Sequence, residues 1–166
     1  MRLFIKQKVF SWADNFLVKD EFGSDRYNVK GEIFSLGHRL HIYDYSGREV
    51  ALIQQKLFSF KPRYFIFING VQVAELVKQF TMFKQKYIVE GQEWSLEGDF
   101  WSHDYRLMKD DGSVIMSVKK EWFTWGDSYA LDIQNDVNDL LCLCIVLAVD
   151  CTNENNSGSN TSFFSN

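Results

Sequence analysis

The sequence predicts a mainly β protein: a closed barrel of roughly twelve strands, made of two related halves around a central hydrophobic helix near the C-terminus. Three observations predict it. Turn signals recur at short, even intervals between aromatic and β-branched runs. Part of the chain repeats itself about sixty residues later. A late run of ten apolar residues is too short to span a bilayer and too apolar to face water.

The strands come first. Turn signals stand at Ala13-Asp14-Asn15, Phe22-Gly23-Ser24, Ser46-Gly47, Asn69-Gly70, Glu97-Gly98-Asp99, Asp110-Asp111-Gly112 and Trp125-Gly126-Asp127. Between them, Arg39–Asp44, Tyr64–Ile68 and Ser113–Val118 read as strands. Asn69-Gly70 is the strongest hairpin, because both residues accept the positive φ of a type I′ turn. Residues 71–80 space Val73, Leu76, Val77 and Phe80 as a helix would, but the flanking hairpin favours a strand.

At an offset of 60, Tyr27, Val29, Gly31, Ser35, Leu36, Asp44 and Tyr45 recur as Tyr87, Val89, Gly91, Ser95, Leu96, Asp104 and Tyr105. At an offset of 65, Gly47, Phe58, Tyr64 and Ile68 recur as Gly112, Phe123, Tyr129 and Ile133. Unrelated stretches match at about one position in nineteen. The reading is a duplication, with one unit at 26–68 and another at 86–133, and no linker between them.

Leu140–Val149 is the apolar run, and Asn135-Asp136 and Asn138-Asp139 before it offer N-cap chemistry. Ten helical residues at ~1.5 Å each reach about 15 Å, half of the roughly 30 Å hydrocarbon layer. Such a helix, spanning 137–149, must be enclosed by protein. The preceding chain, at ~11 residues per strand and turn, supplies about twelve strands. Barrels of eleven strands hold a central helix, whereas eight strands fill with their own side chains. Residues 1–151 thus form one domain, and 152–166 are expected to be a polar, disordered tail.

Composition excludes other classes. With 166 residues, one proline and 46% hydrophobic side chains, the chain is neither disordered nor collagenous. Three cysteines do not make a disulfide scaffold, and Cys142 and Cys144 within the apolar run suit a reducing compartment. No signal-peptide pattern follows Met1, so the expected location is cytoplasmic. A net charge of −4 gives no basis for nucleic-acid binding. Charge is uneven, however: residues 51–89 hold 6 basic and 1 acidic residue, and residues 90–166 hold 4 basic and 14 acidic.

Catalytic patterns are absent: there is no phosphate loop, CxxC, HExxH or GxSxG. The expectation is a protein that is not an enzyme and uses no cofactor or metal. Cys142 and Cys144, two apart on a helix, point different ways and read as core. His38 and His41 face opposite sides of a strand and read as ordinary surface or turn residues. His103-Asp104 could be an acid/base pair, but turn hydrogen bonding by Asp104, the repeat partner of Asp44, is favoured. Asp110-Asp111-Gly112 reads as a hairpin rather than a calcium loop. Trp122-Phe123-Thr124-Trp125 and its counterpart Leu57-Phe58-Ser59-Phe60 are expected to pack on the barrel.

Several segments together resemble the LURP-one-related family, whose members share the tubby C-terminal-like fold. They are Ile5–Ser11, Phe16–Gly23, Tyr27–Gly37, Asp44–Ile53, Glu97–Asp104 and Lys119–Tyr129, followed by the apolar helix, and the resemblance covers about residues 3–151. It implies a twelve-stranded barrel around a hydrophobic C-terminal helix. It also implies kinship with tubby proteins, which bind phosphoinositide headgroups, and with phospholipid scramblases. No tubby phosphate-binding motif is matched residue by residue, nor is the scramblases' palmitoylated cysteine run or calcium-binding segment.

The functional expectation is a non-enzymatic binding module, peripheral at the membrane, that recognises anionic phospholipid headgroups or the inner membrane surface. Lys61, Arg63, Lys78, Lys84 and Lys86 are the candidate residues, chosen on charge. In an unbroken strand, Lys78, Lys84 and Lys86 project from one face with Phe80 and Met82. The alternative is a protein-interaction scaffold whose loops or tail engage a protein partner without lipid.

Overall fold

The computed structural model describes residues 1–6, 15–32, 37–81, 85–121 and 128–158. In chain order the strands are β1 (Arg2–Lys6), β2 (Asn15–Asp20), β3 (Asp25–Gly31), β4 (Arg39–Asp44), β5 (Glu49–Gln55) and β6 (Arg63–Ile68). They continue with β7 (Val71–Gln79), β8 (Lys86–Glu90), β9 (Trp94–Asp99), β10 (Asp104–Lys109), β11 (Val114–Glu121) and β12 (Ser128–Ile133), followed by α1 (Asp139–Gly158). Each strand pairs antiparallel with its sequence neighbour, and β1 closes the ring on β12. The barrel is therefore an up-and-down meander with no free sheet edge.

Alternation builds the wall. The second residue of every even-numbered strand is inside and buried: Phe16, Leu40, Tyr64, Tyr87, Tyr105 and Tyr129. Residues 71–79 are strand, as the hairpin signal favoured, and Asn69 and Gly70 adopt φ of 49° and 78°. α1 fills the lumen, with Cys142 to Val149 all fully buried. Asn138 caps it: its Oδ1 accepts from the Leu141 amide at 3.0 Å. Asp139 in the first turn meets the positive end of the helix and also takes the Tyr27 hydroxyl at 3.0 Å.

The helix is longer than its apolar run. It runs through Gly158, so residues 152–158 are helical rather than part of a disordered tail. Thr152 and Asn153 are buried with partners: the Thr152 hydroxyl donates to the Ala148 carbonyl of the helix at 2.8 Å, while from the wall the Tyr87 hydroxyl donates to Asn153 Oδ1 at 3.4 Å and the Phe100 carbonyl accepts from Asn153 Nδ2 at 3.3 Å. Residues 159–166, and the expectation of disorder there, lie outside the described residues.

The offset of 65 maps β4, β5 and β6 onto β10, β11 and β12. It also carries the turn chemistry. The Gly47 amide donates to the Asp44 carbonyl at 3.0 Å, as Gly112 does to Lys109 at 2.9 Å, and both glycines have φ near 80°. The offset of 60 relates β3 to β8 rather than strands six apart, so its identities do not mark equivalent places in the ring. Gly98, expected in a turn, lies inside β9 with φ 140°, where the β10 backbone at Asp104 and Tyr105 crosses against it. The turn cap there is Asp99, whose Oδ1 accepts from the Trp101 and Ser102 amides. Asp104 is the exposed first residue of β10, so it has no turn role like that of Asp44. The turn signals at 13–15 and 125–127 fall wholly or partly outside the described residues, as does Trp122–Trp125.

Candidate functional site

The meander sorts its connections by parity. Those leaving even strands gather at one end and are short: 21–24, 45–48, 69–70, 91–93 and 110–113. They carry Glu21, Glu93, Asp110 and Asp111 against Arg48. Connections leaving odd strands emerge at the opposite end, where the polar end of α1 also arrives. Their described residues carry Lys56 and Lys61 against Glu32. The short-turn end is thus acidic; at the long-loop end the described residues bring Asp150 and Glu154 of α1 as well as Glu32 beside the two lysines, and Lys56 is ion-paired to Glu75 at 3.6 Å, so charge does not distinguish the two ends.

The long-loop end exposes large apolar side chains. Phe58 and Phe60 are 105% and 93% exposed, Phe80 is 63% exposed, and Leu57 and Trp101 are also exposed. Leu57-Phe58-Ser59-Phe60 therefore does not pack on the barrel as expected. The loop leaves β5 and turns outward, and Phe58 takes a left-handed φ of 56° that residues with a Cβ seldom adopt. Phe60 meets Phe80 edge to face, with centroids 6.3 Å apart, across the β5–β6 and β7–β8 connections. The short-turn end exposes Phe22 and Tyr45, on separate turns, and Val71 at the start of β7.

The five basic candidates do not form one patch. Arg63 is bound to Glu75 at 2.9 Å and to Glu90 at 3.3 Å, and these carboxylates hold its guanidinium above its usual pKa. Lys86 faces its cross-strand partner Glu97 at 2.8 Å. Lys61 donates to the neutral Gln79 side chain at 2.8 Å. Lys84 lies outside the described residues. Lys78 points inward opposite Tyr87, so it shares no face with Lys86, which pairs with Gln79. Only 8% of Lys78 is exposed, and burial pushes its pKa down. Parity failed because the β7–β8 turn falls within 78–86.

A second polar cluster closes the same end. Asp150 of α1, 6% exposed, accepts from the Tyr129 hydroxyl through Oδ2 and lies 3.2 Å from His103 Nε2 through Oδ1. The His103 ring stacks on Tyr129 at 4.1 Å, and a pocket of about 160 Å³ lies among Phe100, Trp101, His103, Tyr129 and Asp150. The sequence suggests an acid/base pair of His103 with Asp104 but favours a turn role for Asp104; the structure sets His103 against a helix residue 47 positions away. Neither a turn nor a motif signals that pairing. Ser102 is hydrogen-bonded to Asp99 rather than to His103, so the nearby hydroxyl and imidazole do not form a nucleophile–base couple. Cys142, Cys144 and Cys151 are buried and unbonded, and burial raises the Cys142 thiol to about 12. Among the described residues no three His, Cys, Asp or Glu side chains gather as a metal set, and no helix is long and apolar enough to cross a membrane.

Comparison with known proteins agrees with this architecture. A solved X-ray structure of an Arabidopsis thaliana protein superposes with a TM-score of 0.66 at 15% identity, covering 92% of this chain and 90% of that one, and so shares the fold. The uncharacterized protein YxjI of Bacillus subtilis (strain 168) is 41% identical over 150 residues, 90% of this chain and 92% of its own. The LURP-one-related family model matches residues 1–150, and the chain belongs to that family.

Proposed function

We propose that the protein is a non-enzymatic binding module that docks on an anionic membrane surface with the long-loop end of its barrel. The observation that carries this reading is the exposed group of Phe58, Phe60 and Phe80 beside Lys61, at the end of the barrel opposite the acidic turns. Solvent-facing rings on loop tips have no stabilising role in the fold, whereas burying one in the acyl–headgroup boundary gains about 1.5–3 kcal/mol. Each lysine near an anionic surface adds about 1 kcal/mol. The rings therefore supply most of the affinity and set the orientation, and Lys61 adds a smaller, salt-sensitive part.

The experiment is vesicle sedimentation with phosphatidylcholine alone and with phosphatidylserine added, across a salt series. Wild type is expected to sediment with the anionic vesicles and to weaken only partly as salt rises. A Phe58→Ser, Phe60→Ser, Phe80→Ser variant, unchanged in melting, is expected to stay in solution. Wild type that ignores anionic vesicles at low salt would overturn the reading in favour of a protein-interaction scaffold.

A further inference from the structure

Lys78 is a basic side chain buried without an acidic partner. It is 8% exposed, and among the described residues no carboxylate lies within ion-pair distance of it. Among the described residues its aromatic neighbour in range is the Tyr87 ring, 5.9 Å from the ammonium. The other buried charged side chain among the described residues, Asp150, has both oxygens engaged by Tyr129 and His103. A desolvated ammonium is costly unless an anion meets it. Nothing in the described wall supplies one.

The position of Lys78 says where an anion would come from. Its amide donates to the Pro62 carbonyl at 3.1 Å, which fixes residue 78 beside residue 62 on the wall. Two residues further on along each segment stand Phe80 and Phe60, whose rings meet at the rim. Two extended residues span about 7 Å. Rings that enter a bilayer interface sit about 5–10 Å below the headgroups. When Phe60 and Phe80 are at that depth, Lys78 stands at the level of the phosphates.

Resting on the membrane-docking reading above, we propose that Lys78 is the receptor for the phosphate of a single anionic lipid, drawn against the inner wall of the barrel mouth between Pro62 and Tyr87 while Phe60 and Phe80 flank its acyl part. A lysine suits this role because its compact ammonium binds phosphate as a point charge without needing the planar fork of an arginine. Its lowered pKa, caused by desolvation alone, accords with a cation that lacks a counter-ion in the free protein.

The test uses the full chain and three probes: dihexanoyl phosphatidic acid below its micelle concentration, inorganic phosphate, and phosphatidylcholine vesicles with and without phosphatidic acid. Wild type is expected to bind the soluble phosphatidate, and Lys78→Met to bind it about tenfold to a hundredfold more weakly, as loss of a hydrogen bond to a charged group dictates. Lys78→Met should melt no lower than wild type, since it removes an unpaired charge and keeps the stem. Lys78→Arg serves as a control that retains charge and part of the affinity. On vesicles, Lys78→Met should still adsorb but lose its preference for phosphatidic acid. Equal soluble-phosphatidate affinity in wild type and Lys78→Met would overturn the inference while leaving docking intact. Soluble binding without vesicle adsorption would sink docking and support the receptor. Inorganic phosphate binding as tightly as the phosphatidate would assign the site to the free ion and overturn the lipid.

Discussion

His103 and Asp150 are 47 residues apart in sequence and 3.2 Å apart in the fold, and their contact ties the last turn of β9–β10 to the polar end of the central helix. His103 takes φ 51° to make it, a conformation that a residue with a Cβ adopts at a cost. The Tyr129 hydroxyl donates to the other oxygen of the same carboxylate. Asp150→Ala should therefore destabilise the protein by about 1–3 kcal/mol in urea unfolding, because it leaves a buried tyrosine hydroxyl without its acceptor. Adding Tyr129→Phe to Asp150→Ala should cost less than the two single losses combined, since both remove one contact. Strict additivity of the two variants would show that the pair is not coupled.

The four inward tyrosines near the long-loop end behave unequally. Tyr105 is fully enclosed, and its hydroxyl has no hydrogen-bond partner among the described residues. Tyr105→Phe should thus leave stability unchanged or raise it, where Tyr129→Phe lowers it. A melting temperature that falls equally in both variants would contradict the assignment of partners.

Alkaline pH should unfold the protein. Burial raises the Tyr105 and Tyr129 pKa values well above 10, with the Asp150 charge adding to the effect, and also raises Tyr27 and Tyr87. Above pH 10 these groups ionise in the unfolded chain and stay protonated in the fold. The native state then binds more protons, so stability present below the unfolded value near 10 is lost as pH rises. Lys78 acts in the opposite sense in the window below 10.5, because its folded pKa is lowered and deprotonation relieves its burial. Four tyrosines outweigh one lysine. Urea midpoints from pH 8 upward should fall beyond about pH 10, and less steeply in Tyr105→Phe.

Two glycines with positive φ should differ in their tolerance of alanine. A Cβ on Gly98 would stand 2.5 Å from the Asp104 carbonyl oxygen and 2.6 Å from the Tyr105 Cα, both backbone atoms that cannot move aside. Around Gly112 there is nothing within 4 Å, so only its φ of 83° opposes substitution. Gly112→Ala should cost about 1 kcal/mol, and Gly98→Ala several times more, read as the difference in urea midpoints.

Val146 is fully buried at the middle of the lumen. Val146→Asp places an unpaired carboxylate there, at a cost of several kcal/mol against a typical domain stability of 5–15 kcal/mol. Loss of the cooperative melting transition is the expected result; a native-like transition would mean that α1 is not the enclosed core element.

By itself the sequence determined the elements that local chemistry specifies. Alternating strands, the Asn69-Gly70 hairpin, the Asn138 cap and the enclosed Leu140–Val149 helix all follow from side-chain period, positive φ or polarity within a few residues. Tertiary structure decided what each charged or polar side chain faces. Antiparallel register set Glu97 against Lys86 and Glu75 beside both Arg63 and Lys56, which neutralised three of the six residues of a basic block that looks free along the chain. The turn between β7 and β8 put Lys78 inside and Lys86 outside. The wall's tyrosines and Phe100 carbonyl extended a helix into residues whose composition is that of a tail. Meander topology brought Phe60 and Phe80 together from separate loops. Period and propensity act over one turn or one strand, whereas partnership depends on register and barrel closure, which join residues tens of positions apart.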